Sequence, residues 1–322
     1  MTILIAILSE QALPYRDGMI SEPFEPTIRV ALPVEREAAL TLVLSDVPDA
    51  DVHAQQLVAT QPADAWHGLL VSVDGRNSLL AALWLQDIGG SAAMIWPPRL
   101  IDGAPASLAE LLVTVAVARA QEQQVQLVQA LLNGDAQADT ELLERNGFRR
   151  LADLAYLACA IGDKVPAQFD SPLTLTPCHQ VDNARLVKVV DLTYQATLDL
   201  PELNGLRSAA EVLAEYRAAP QYDPQLWFLV SHDGDDVGCL LLNDHASLDQ
   251  VELVYFGLIP SARGNRWGRD LVRFAQIETR RLGRRQLLLA VSAGNRPALD
   301  TYAATGFFAW QQRRTLVRFL RK

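Results

Sequence analysis

Hydrophobic spacing along the chain switches between a period near 3.6 and a period of 2, and the switches mark out elements. Helical spacing predicts helices over 183–198 and 208–219. The runs 225–234 and 236–245 read as a hairpin, turned at Gly234, Asp235 and Asp236. Residues 249–259 form a further strand that Pro260 ends. A strongly amphipathic helix follows over 266–283, with Trp267, Leu271, Phe274 and Ala275 on one face and Gly283 as its stop. Residues 286–292 are nearly all apolar, as in a strand covered on both faces. A short helix over 295–307 opens at Asn295, carries Pro297 in its first turn and closes at Gly306. Residues 308–320 return as strand. With a first strand at 173–177, the order is β-α-α-β-β-β-α-β-α-β.

The same phrases occur earlier in the chain. "LLVSVDG" from Leu69 returns as "FLVSHDG" from Phe228, Gly147 of "NGF" returns as Gly306 of "TGF", and the apolar strand from Met94 returns from Leu253. Each pair is 159 residues apart. One fixed, domain-sized offset means a tandem duplication, not a solenoid. The polar stretch with two prolines after the apolar run ending at Ile161 marks the break. It divides the chain into 1–162, a linker 163–172 and 173–322.

Charge adds one fact. The protein carries a net charge of −10, which argues against general nucleic-acid binding. Residues 249–322 nevertheless hold 14 Lys and Arg against 5 Asp and Glu. A basic quarter on an acidic protein points to a local anionic ligand. Three scattered cysteines, Cys159, Cys178 and Cys239, suggest neither a disulfide framework nor a zinc site. The apolar start "MTILIAILSE" lacks a basic flank, and no apolar run has membrane-spanning length. The expectation is a cytoplasmic protein with no membrane partner and no metal.

The loop "SARGNRWGRD" joins a strand to a helix, with Gly264 and Gly268 placed to let backbone N–H groups approach an anion. The run Leu258, Pro260, Arg263, Arg266, Gly268 resembles the acetyl-CoA motif of the GNAT superfamily of N-acetyltransferases. That motif reads Arg or Gln, two residues, Gly, one residue, then Gly or Ala. Asn295, Tyr302 and the Gly306-Phe307 close resemble the family's second signature, and the element order matches its fold. The resemblance covers the second repeat, and the first by way of the duplication. Tandem pairs with one active half occur in this superfamily; the layout is similar to that of mycothiol synthase.

The resemblance implies an α/β fold (α+β, mixed sheet) of two tandem GNAT-like acyl-CoA N-acyltransferase domains, the first degenerate. It implies acetyl-CoA as co-substrate, an amine, small or on a protein, as acceptor, and chemistry in the second domain. Gly257, Leu258, Arg263, Gly264, Asn265, Arg266, Trp267, Gly268 and Asn295 are then the cofactor-binding positions. Tyr302 is the general acid at the thioester sulfur, the alternative being a core aromatic. Glu252, in an apolar strand, is the candidate general base, or a carboxylate at a strand start that faces water. Asn295 is a helix cap first. Arg266 stands where the family has glycine: a backbone with φ > 0 would strain it, and a helical one would free it to meet a phosphate. Asp199, Glu202 and Asn204 border the acceptor region, or form an ordinary capped loop. His232 and His245 are expected at the surface.

In the first repeat, the offset places Ala104, Ser107, Ala109 and Glu110 on Arg263, Arg266, Gly268 and Arg269. Pro97 and Pro98 lack the N–H that would pair with a pantetheine arm. The rival reading of the whole chain is a non-catalytic CoA-binding or interaction module, or transfer of a different acyl group.

Overall fold

A computed structural model describes residues 26–320 except 90, 163–164, 167, 200 and 202–207. The apolar start, Glu202 and Asn204 lie outside the described residues. The first repeat runs β1 (Thr27–Val30), α1 (Arg36–Val43), α2 (Ala50–Thr60), β2 (Leu69–Val73), β3 (Leu79–Gly89), β4 (Ala92–Leu100), α3 (Ser107–Glu122), β5 (Leu127–Asn133), α4 (Gln137–Arg145) and β6 (Arg149–Ala160). The second runs β7 (Thr174–Pro177), α5 (Asn183–Tyr194), α6 (Ala209–Ala218), β8 (Trp227–His232), β9 (Asp235–His245), β10 (Gln250–Leu258), α7 (Trp267–Arg281), β11 (Gln286–Ser292), α8 (Arg296–Ala304) and β12 (Phe308–Phe319). The starts of β11, α8 and β12 each lie 159 residues after those of β5, α4 and β6.

The compact units do not follow the linear division of the repeats. Among the described residues one unit is 152–313, and the other is 26–151 with 314–320. The last strand of each repeat is therefore shared out. In the unit of residues 152–313, β6 pairs antiparallel with β11, from Gln286↔Ala160 to Ser292↔Leu154. The order there is β6-β11-β10-β9-β8-β7, with β10 and β11 parallel and the rest antiparallel. The other unit has the order β1-β2-β3-β4-β5-β12, with β4 and β5 parallel. A linear boundary at 163–172 thus falls inside the first of these units.

Each unit is a mixed sheet covered on both faces. In the unit of residues 152–313, α7 and α8 bury Val272, Ala275 and Tyr302 against Leu240, Val251, Leu287 and Leu289. On the other face α5 and α6 bury Leu186, Val190 and Leu213 against Trp227 and Leu241. Each fully buried aliphatic side chain contributes about 1.5–3 kcal/mol. The β8–β9 hairpin turns one residue earlier than its spacing suggests. Asp233 and Gly234, at φ 50° and 90°, form the turn, and Asp235 already belongs to β9. Two consecutive positive φ values are what a two-residue hairpin loop needs to match strand twist.

Candidate active site

The site begins as a break in strand pairing. β10 pairs with β11 only from Gln250↔Gln286 to Glu252↔Leu288. A bulge between Leu253 and Tyr255 against β9 follows at once. An extra residue bends a strand and raises its local twist, so β10 turns away from β11. Beyond Glu252, the edge of β10 facing away from β9 has no strand partner among the described residues. The splay opens a cleft of about 640 Å³, lined by Tyr255–Leu258, the loop before α7, Asp199, Val291 and Tyr302.

The loop is built to leave donors free. Gly264 stands at φ 87° and Arg266 at φ 63°, ψ 3°, the left-handed cap of α7. Alternating backbone conformations of this kind turn successive N–H groups inward. The N–H groups of Gly264, Asn265, Arg266, Trp267 and Gly268 have no acceptor among the described residues. They stand at the positive end of the α7 dipole. Arg266 and Arg269 are exposed and have no ion-pair partner among the described residues. Asn265 donates to Ala262 O at 3.3 Å and holds the turn. A Cβ at Gly268 would sit 3.8 Å from Thr301, ordinary contact, so that glycine is not forced by the protein's own packing.

Arg263 differs from the phosphate contact its charge suggests. Its Nε donates to Leu258 O at 3.0 Å, Nη1 to Ala196 O at 2.9 Å and Nη2 to Thr193 O at 2.9 Å. The guanidinium clamps the end of β10 to the C-terminus of α5, where carbonyls are left over. Gly257 serves the same junction: a Cβ there would lie 2.7 Å from Thr193 Cβ. Trp267 packs against His232 with the rings tilted by 37° and their centroids 4.6 Å apart. His232 is therefore half-buried against the helix start, not a free surface residue.

Tyr302 lies on α8, 5 % exposed, and its ring meets Phe256 and Phe307. The Gly-Phe close explains its placement. Gly306 takes φ 91°, and Phe307 N–H returns to Tyr302 O at 3.0 Å, a helix stop that folds Phe307 onto Tyr302. The Tyr302 hydroxyl makes no hydrogen bond to another described residue. Burial, and then the charge of Asp199, push its pKa well up, so it stays protonated. Asn295 caps α8 by accepting from Ala298 N–H at 3.4 Å, and it also lines the cleft.

Glu252 is not a cleft wall. It is the last residue of β10 paired to β11, 9 % exposed, with Oε2 3.0 Å from His245 Nε2. Neither a water-facing carboxylate nor a free surface histidine describes this pair. The carboxylate that does line the cleft is Asp199, whose Oδ1 accepts from Ser292 N–H at 2.9 Å. Its surface is open to the cleft, yet the surrounding protein raises its pKa by desolvation.

The first repeat keeps the splay, with β4 and β5 paired only from Ala92↔Leu127 to Met94↔Gln129, but places other residues around it. Counted from the strand start, Arg99 of β4 takes the place of Gly257 of β10. It is bonded to Asp46, and bidentately to Asp139 at 2.9 Å through each nitrogen. The residue before α3 is Ala106 at φ −58°, where α7 has Arg266 in the left-handed region, so the helix starts shift the repeat offset by one residue here. The residue 159 before Tyr302 is Leu143, fully buried. The duplication offset alone carried that last signal; the ion pairs had none in the sequence.

Residues 196–307 match the Acetyltransferase (GNAT) family. It is 26% identical over 195 residues to a mycothiol acetyltransferase of Nocardioides sp., a match covering 56% of this chain and 65% of that protein. The chain thus spans just under two thirds of that relative's length. Its fold resembles a GCN5-related N-acetyltransferase from Sphaerobacter thermophilus, with TM-score 0.65, 17% identity and coverage of 92% and 96% of the two chains. It also resembles a tandem GNAT protein from the clavulanic acid biosynthesis pathway, with TM-score 0.55, 14% identity and coverage of 92% and 98%. The fold is the mixed α/β fold of GNAT proteins, tandem ones included.

Proposed function

We propose that the unit of residues 152–313 transfers an acetyl group from acetyl-CoA to an amine. The observation that carries the reading is one cleft lined both by Gly264, Arg266, Trp267 and Gly268, whose N–H groups have no acceptor among the described residues, and by Tyr302, whose hydroxyl has no hydrogen-bond partner there either. A pyrophosphate fits the N–H groups of 264–268 and the α7 dipole, with Arg266 and Arg269 adding charge. A pantetheine arm fits the unpaired edge of β10 at Gly257 and Leu258, and the thioester carbonyl accepts from that backbone. As the carbon–sulfur bond breaks, the thiolate takes the Tyr302 proton. Glu252, at the apex of the splay with His245, reaches the amine only through water.

The first repeat supports the fold without chemistry, because Arg99 stands ion-paired where β10 has Gly257, and Ala106 and Leu143 replace the anion turn and the acid. Likeness to a mycothiol acetyltransferase favours a small-molecule amine. Free Cys159, Cys178 and Cys239 suit a reducing compartment, the cytoplasm. No helix among the described residues is long and apolar enough to cross a membrane.

Two measurements test the reading. Calorimetry with acetyl-CoA is expected to show binding that Gly268→Glu abolishes. Thiol release with an amine panel is expected, and Tyr302→Phe should lower kcat with acetyl-CoA affinity unchanged. Binding without thiol release would instead favour a CoA-binding module, the reading that Glu252's place outside the cleft supports.

A further inference from the structure

Among the described residues Glu252 has one hydrogen-bond partner, and it is a histidine. Oε2 lies 3.0 Å from His245 Nε2, and Oε1 makes no hydrogen bond to another described residue. Strand pairing sets this up. Gln250 pairs with His245 and Glu252 with Asn243, so His245 and Glu252 are diagonal neighbours on one face of the sheet. Leu241, two residues before Asn243, packs under α5 and α6, so the pair lies on that side. Tyr302 lies on the other, with the core of α7 and α8. Leu288 pairs with Glu252, and Ala290, two residues on along the same face, lines the cleft. Glu252 and Tyr302 thus approach the splay from opposite faces.

The surroundings of the pair are polar but hold no fixed cation for it. No ion pair among the described residues joins Glu252 to an arginine or lysine, and Arg284 is committed to Asp244 at 2.7 and 2.8 Å. An arginine partner would keep the carboxylate ionised and make it a poor proton acceptor. A neutral imidazole orients the same oxygen and leaves the group basic. Asn243 Oδ1 and Gln250 Oε1, buried on the same face, have no hydrogen-bond partner among the described residues. Buried acceptors of this kind are met by ordered water.

The first repeat separates chemistry from construction. Ala92 pairs with Leu127 and Met94 with Gln129, as Gln250 and Glu252 pair with Gln286 and Leu288. Ala92 also pairs with Gly89, as Gln250 does with His245. Met94 therefore stands in the place of Glu252, and Gly89 in the place of His245. Both members of the pair are gone where the anion turn and the acid are gone. The strand pairing and the splay persist, so the sheet does not need the pair.

We propose that His245 is a positioning residue for proton removal: it holds Oε2 of Glu252, which leaves Oε1 to take, through water, the proton that the attacking amine gives up. This rests on the transferase reading above. The step balances. The neutral amine nitrogen attacks the thioester carbon, a carbon–nitrogen bond forms and the carbon–sulfur bond breaks. One nitrogen proton passes through water to Glu252, and sulfur takes the Tyr302 proton. Glu252 then returns its proton to solvent and Tyr302 takes one up. The products are the amide and free CoA thiol.

The test measures thiol release from acetyl-CoA with ethanolamine, glucosamine and spermidine, and acetyl-CoA affinity by calorimetry. His245→Ala should lower kcat about tenfold, the worth of one hydrogen bond to a charged group, with KM and acetyl-CoA affinity unchanged. His245→Gln keeps an N–H donor and should restore most of the rate. Glu252→Gln should lose more than His245→Ala, and adding His245→Ala to it should change nothing further. Wild-type kcat in His245→Ala, or a loss that multiplies with that of Glu252→Gln, overturns the proposal. So does a fall in acetyl-CoA affinity in His245→Ala, which would make the residue structural. Release absent with every amine in wild type, while acetyl-CoA binds, would refute the transferase reading and this role with it. Wild-type release that His245→Ala leaves intact would remove His245 alone.

Discussion

Arg263 donates through Nη2 to the carbonyl oxygen of Thr193 at 2.9 Å, the residue that Gly257 must lack a side chain to meet. The same guanidinium reaches Leu258 O and Ala196 O. One arginine thus ties the strand end, the anion loop and the close of α5 together. Its work is done before any ligand arrives.

Arg263→Ala should therefore lower stability, by about 2–3 kcal/mol, because three carbonyls lose a charged donor. Lysine cannot reproduce the fork, and Arg263→Lys should recover only part of the loss. Denaturant unfolding measures both. A variant as stable as wild type would mean the clamp carries no weight.

Arg266 separates strain from charge. Its φ of 63° costs an L-residue about 1 kcal/mol, and glycine adopts it freely. Arg266→Gly is expected to be as stable as wild type or up to about 1 kcal/mol more so. Its acetyl-CoA affinity should fall, and with it the salt dependence of binding. Unchanged affinity would show that the side chain meets no phosphate.

Asp199 gives a pH-dependent stability with a defined sign. Its folded pKa is raised, so the unfolded chain ionises first as pH climbs. The burden on the folded state is absent below the ordinary carboxylate value, grows between that value and the raised one, and is full above it. Asp199→Asn should raise Tm at pH 7 and leave it unchanged near pH 3. A Tm gain at both values, or at neither, would contradict the desolvation argument.

In the first repeat, Arg99→Ala strands Asp139, whose side chain is 17% exposed. Loss of one partner of a largely buried pair costs about 3 kcal/mol. Arg99→Ala with Asp139→Ala should cost less than Arg99→Ala and Asp139→Ala added together, read by a double-mutant cycle. Additive losses would mean that the pair is not coupled.

Periodicity and punctuation fixed much of this protein. The element order, the 159-residue duplication, the stop at Gly283 and the Asn295 and Gly306 ends of α8 follow from local rules, because capping and turn chemistry act within a few residues. Gly264 and the anion loop were legible for the same reason. The Arg266 angle was not, since arginine can occupy either region and only the geometry of strand and helix start selects one. Side-chain destinations were decided by contacts distant in sequence. Arg263 finds carbonyls about seventy residues away and Asp199 finds Ser292, while Glu252 meets the nearby His245 only because β9 and β10 pair. The docking of β6 on β11, and the division of β12 between the compact units at residues 313 and 314, were hidden too, because a repeat records where a strand was duplicated, while sheet pairing decides where it docks.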